Sequence, residues 1–238
     1  AHPLTYTLSL GVYATSWSYY GSIGLAAEHG LLFLTIYLGA TLTFVLSPVL
    51  LQPILRLTRE YQLTSLADLL AFRYRSQAVG ILVTLFMLVG TLPYIALQIR
   101  AVAESMHILS DRTPPQMVAL GFCVTLILFA VLFGARHLSS REKHQGLVAA
   151  IAFESLVKLV VILIIGLVAL FQVLQGPEGL AHYLKTHPQA LQTLYQPLGE
   201  SPWTALLFLA FGAAFLLPRH FHMLFAENLQ PQALKTAS

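Results

Sequence analysis

Of the 238 residues, 57% are hydrophobic and only 10% are charged, and the mean hydropathy is +0.73. Soluble domains carry roughly a quarter charged residues, so the composition excludes a soluble globular chain and predicts an all-α integral membrane protein. The 13 Lys and Arg against 10 Asp and Glu leave a net charge of +3, which fits the positive-inside bias of a membrane protein and is too small an excess for a nucleic-acid partner.

At about 20 apolar residues per crossing, the chain divides into six predicted transmembrane helices, at residues 6–28, 31–55, 79–108, 116–135, 146–174 and 203–225, making one membrane domain over 1–238. No Met and no basic leader precede Ala1, so the sequence reads as part of a longer protein. The first span and the turn just after it hold Gly11, Gly21, Gly24 and Gly30 with Thr15, Ser16, Ser18 and Ser22. Small residues in membrane helices serve close packing, but such a cluster also suits a discontinuous helix. Unwinding near residues 14–18 would free carbonyls as hard oxygen donors for a small cation, with Trp17, Tyr19 and Tyr20 walling a pocket.

Residues 56–77 set Leu63, Leu66, Leu69, Leu70 and Phe72 against Asp68, Arg73 and Arg75, an amphipathic stretch expected to lie along the membrane surface. In the third span, Arg100 and Glu104 lie toward one end where they can snorkel, while Gln98 is either solute-facing or bonded to a neighbouring helix. Cys123, in the fourth span, is a lone small residue with no disulfide partner. Glu154 and Lys158 in the fifth stand four apart in the favourable order for a helical ion pair, and mutual neutralisation is weighed evenly against a role in the permeation path. Residues 176–202 read as an external loop with one short helix. Pro218 interrupts the sixth span, and Arg219, His220 and His222 after it suit either a solute carboxylate or an ordinary basic mouth.

Loop charges give the orientation. Arg56, Arg59, Arg73 and Arg75, and then Arg136, Arg141 and Lys143, crowd two connections, whereas the alternate ones hold only Arg112 and Lys185. The Arg-rich side is expected to be cytoplasmic, as is the tail with Lys235. The nine histidines show no metal-ligand spacing, and no phosphate loop, nucleophile elbow or kinase motif is present, so the chain by itself is expected to be no enzyme and to need no organic cofactor.

Several of these stretches resemble the sodium/solute symporter family. Leu8-Ser-Leu-Gly11 through Gly21-Ser-Ile-Gly24 is similar to its first core helix, and Tyr61-Gln-Leu-Thr-Ser-Leu-Ala-Asp-Leu-Leu-Ala-Phe-Arg-Tyr-Arg-Ser76 to its signature between core helices two and three. Pro93-Tyr-Ile-Ala-Leu-Gln98 resembles the third core helix. Leu217-Pro-Arg-His-Phe-His-Met-Leu-Phe-Ala-Glu-Asn228 is closest to a branch in which the symporter domain is fused to a sensor histidine kinase.

The resemblance implies a partial leucine-transporter fold, the first inverted five-helix repeat plus the first helix of the second. It implies sodium on the backbone carbonyls of Gly11 and Ala14, although Tyr13 stands where the proline-transporting branch has an acidic residue. A small organic solute, an amino acid such as histidine, would be held by Trp17, Ser18, Gln98, Arg219, His220 and His222. The expected setting is the bacterial inner membrane, multi-pass, with a response regulator as partner of a longer kinase. The alternative is an ordinary sodium-coupled symporter working by alternating access.

Overall fold

The computed structural model describes residues 7–8, 10–109, 114–134, 145–194 and 202–228. Tyr6 and Ser9 of the first predicted span, Ala135 at the end of the fourth, Arg112, Arg136, Arg141, Lys143 and Lys235 lie outside the described residues, as does 195–201 of the predicted loop.

The first helical region is broken at its start. A 3₁₀ turn, Leu10–Tyr13, is followed by Ala14 and an extended Thr15 (φ −126°, ψ −172°), and only then by α1 (Ser16–Tyr19) and α2 (Gly21–His29). The Thr15 N–H, which no helical carbonyl can reach there, donates to Ser18 Oγ at 3.3 Å. At Gly30 the backbone takes φ +56°, a region open to a residue without Cβ, and a second 3₁₀ turn, Gly30–Phe33, leads into α3 (Leu34–Val45). A turn through Ser47 and Pro48 ends α3 and precedes α4 (Leu51–Glu60). The sequence then forms α5 (Leu66–Tyr74), α6 (Gln77–Leu109), α7 (Pro115–Phe129) and α8 (Gln145–Val168), with π-helical ends at Ala130–Gly134 and Ala169–Val173. Two short helices, α9 (Pro177–Thr186) and α10 (Pro188–Leu194), stand where one was expected. α11 (Trp203–Leu216) stops at an extended Leu217 (ψ 140°), and α12 (Pro218–Phe221) continues into a π turn, His222–Ala226.

Four helical stretches among the described residues are long and apolar enough to cross a membrane: Ser16–Val45, Gln77–Leu109, Pro115–Leu132 and Val148–Val173. The bent pair Trp203–Leu216 and Pro218–Ala226, at 49°, makes up to five. The shortfall against the predicted six lies in the first two. Gly30 ends α2 but a 3₁₀ turn resumes there at once, so Ser16–Val45 forms one helical stretch, and the Ser47-Pro48 turn closes that stretch before residue 55. Beyond the turn the helix is amphipathic, with Leu51 and Leu55 buried and Arg56 and Glu60 exposed, so the strongest two-faced character falls on α4 rather than on α5.

The chain forms two compact units. The first comprises the described parts of Ala1–Arg56 and His144–Ser238, the second those of Leu57–Lys143. In the first, α3 and α11 pack on small residues. A Cβ on Gly39 would come 2.6 Å from both the Ala210 Cβ and the Leu207 carbonyl, and Thr43 Oγ1 donates to the Phe211 carbonyl at 2.9 Å across the pair. Ala210, Ala214, Phe221, Met223, Leu224 and Phe225 complete this core. In the second unit, Ser65 caps α5 and Gly80 lets α6 approach Ala71. Ile81, Leu82, Leu85 and Phe86 on α6 remain exposed, as do Phe153, Leu159 and Leu163 on α8 in the first unit, apolar surfaces suited to lipid.

Candidate functional site

The first unit gathers its polar chemistry around the helix break at Ala14 and Thr15. Gly11 is half of the reason: α8 runs so close that a Cβ there would lie 2.6 Å from Ser155 Oγ. One turn further along α8, Lys158 Nζ donates to the Ala14 carbonyl at 2.8 Å, and Glu154 Oε1 lies 2.7 Å from the same ammonium. The Lys158 side chain is three-quarters buried while Glu154 is mostly exposed. The two residues therefore form the ion pair that their spacing suggested, and the lysine also engages the carbonyl at the break.

On the other side of the break, Tyr13 stacks on His220 with ring centroids 5.2 Å apart, and its hydroxyl reaches the Ile36 carbonyl at 3.4 Å. His220 is buried. Its Nδ1 lies 2.7 Å from the Ala213 carbonyl, and Arg219 Nε donates to its Nε2 at 3.1 Å. A carbonyl facing one nitrogen and an N–H facing the other fit the tautomer with its proton on Nδ1. Leu10, Tyr13, Phe44, Ala214, His220, Met223 and Leu224 line a small apolar crevice of about 20 Å³, room for about one water molecule.

Of the residues expected at a site, Gly11, Ala14, Arg219 and His220 fall in this region of the first unit. Ser18 is used by its own helix start, and Trp17 lies over Gly21, whose hydrogen leaves room for the indole. His222 pairs at 3.1 Å with the buried Glu227. Gln98 belongs to the second unit, half-buried on α6. Two contacts escaped the sequence reading: Lys158 on Ala14, and Tyr13 on His220. An intramembrane lysine signals a partner, but spacing along one helix names only Glu154.

Of the two carbonyls assigned by resemblance to sodium, that of Gly11 takes an ordinary backbone bond, and that of Ala14 is already met by a cation. Gly11 O accepts the Ala14 N–H at 2.9 Å, and Ala14 O accepts the Lys158 ammonium. An ion on the Ala14 oxygen would stand beside that ammonium, and Glu154 is already paired with it, so no uncompensated negative charge is left to draw sodium in. These residues do not fit a sodium ion. Among the described residues no group of three His, Cys, Asp or Glu could hold a metal either.

No curated protein and no solved structure matches the chain. The sodium:solute symporter family matches it over residues 3–233. With apolar spans, a first helix broken at Thr15 and a last one broken at Leu217, the chain is a member of the sodium:solute symporter family, a family of multi-pass membrane solute transporters.

Proposed function

We propose that the chain forms the solute-binding half of a transporter-like module that takes a small organic solute, an amino acid such as histidine, by alternating access. The observation that carries this reading is the meeting of two interrupted helices, where the break at Thr15 and the break at Leu217 are bridged by Tyr13 stacked on His220. Irregular backbone at membrane depth is tolerated where it lines a cavity or is buried in protein, and paired interrupted helices are the usual frame of a transporter's solute site. The small crevice beside this stack would be its closed form. Trp17, Ser18, Arg219, His220 and His222 of the first unit remain the proposed lining of the opened site, within the leucine-transporter arrangement that the resemblance implies.

Residues 217–228 support a second, regulatory role. On the strength of their likeness to the kinase-fused branch we propose that the module serves as the sensory part of a histidine kinase in a bacterial inner membrane, acting on a response regulator. The solute site on which both roles depend has one test. Saturable binding of radiolabelled histidine and other amino acids is measured on the full-length protein and on Tyr13→Leu and Ser18→Leu. At least tenfold weaker binding by Tyr13→Leu, with normal membrane insertion, is expected. Unchanged affinity in both variants would place the solute elsewhere.

A further inference from the structure

The Ala14 carbonyl is turned toward α8 by the break that follows it, and what meets it is an ammonium group of the chain itself. We propose that Lys158 is the resident cation of this site, so that the helix break is neutralised from within and takes no sodium. The inference rests on the proposed function only in treating this break as part of the solute path.

Three independent features converge on it. Gly11 has no side chain where α8 passes, which sets the closeness of approach, since a Cβ there would meet Ser155 Oγ at 2.6 Å. Lys158 lies three residues beyond Ser155, on the same face of α8, and this register carries its ammonium to the next freed carbonyl at 2.8 Å. Glu154, one turn back, holds the ammonium at 2.7 Å, so the stem is fixed at both ends of its charge. A freed carbonyl away from water needs a hydrogen-bond donor, and an ammonium makes a stronger, charge-assisted bond than a neutral one. A lysine tethered to the packed helix supplies it at a high effective concentration, against which sodium must compete from solution. To enter, sodium would have to displace the ammonium and leave it beside the new ion, with only Glu154 to share.

The test uses purified full-length protein in sodium chloride or equimolar choline chloride, reading binding of radioactive sodium and the melting temperature. Wild type is expected to bind no sodium saturably and to melt at the same temperature in both salts. Lys158→Gln should gain saturable sodium binding and a melting temperature that rises in sodium, while Lys158→Arg should behave as wild type. If Lys158→Gln does not fold, the double variant Glu154→Gln with Lys158→Gln, which replaces the ion pair by neutral amides, carries the same expectation. Saturable sodium binding by wild type, or none in a folded variant lacking Lys158, overturns the proposal. Neither readout needs a solute. Loss of the amino-acid reading would therefore leave this result standing, and the reverse holds as well.

Discussion

Asp68 holds the start of α5 through a single oxygen. Its Oδ2 accepts from the Thr64 N–H at 3.1 Å, the Thr64 hydroxyl at 2.8 Å and the Ser65 N–H at 3.0 Å, while Ser65 Oγ accepts the Asp68 N–H in return. Burial pushes the carboxyl up, but the hydrogen bonds from Thr64 and Ser65 outweigh it and hold Asp68 below its ordinary value of 3.8. A carboxyl depressed on folding adds stability that is present above the ordinary value and lost as pH falls through the lower folded one. Asp68→Asn should therefore flatten the acid side of a pH-stability profile of α5, followed by hydrogen exchange. Ser65→Ala should cost about 1 kcal/mol at neutral pH, and an unaltered exchange rate at α5 in both variants would count against this cap. The Thr-Ser-x-x-Asp pattern was legible in the sequence as a family signature, and its work as a reciprocal cap follows from spacing alone. Lys158 was legible only in part, because helical spacing names neighbours on one helix and not the carbonyl of a turn 144 residues earlier.

Between elements, the α3–α11 contact is made by absence of bulk. Gly39 stands where any Cβ would press on the Leu207 carbonyl, so Gly39→Val should overpack the pair by about 1–3 kcal/mol. Thr43→Val removes one bond across the same pair and should cost less, about 0.6 kcal/mol as such bonds average in membranes. Gly90 on α6 has nothing within 4 Å of its would-be Cβ, and Gly90→Ala should be tolerated or raise stability by about 0.4–1 kcal/mol. Thermal denaturation in detergent ranks the three, and Gly39→Val as mild as Gly90→Ala would show that the close approach is not needed. The break at Pro218 was readable because proline lacks the donor a helix needs. The merging of the first two expected spans was not, since a glycine at position 30 signals the end of a helix, and spacing does not tell that the Gly30–Phe33 turn resumes it at once.

For the whole molecule, orientation remains a matter of charge. With Cys123 replaced, a cysteine at Arg73 should react with an impermeant thiol reagent only from the cytoplasmic face, and one at Lys185 only from outside. The reverse labelling would invert the proposed topology. The first unit is also discontinuous along the chain, its two segments separated by the whole of the second unit. Thr43 meets Phe211 across 168 residues, and Ala14 meets Lys158 across 144. A ribosome adding about 5–20 residues per second needs on the order of ten to thirty seconds to span such a gap. During that interval the small-residue face of α3 and the bare carbonyl of Ala14 are already made and still without their partners, while α5, α6 and α7 are synthesised one after another. The order of synthesis thus exposes the unit that carries the site longest, and a chain released before α11 would leave Gly39 and Thr43 facing lipid with nothing to close on them.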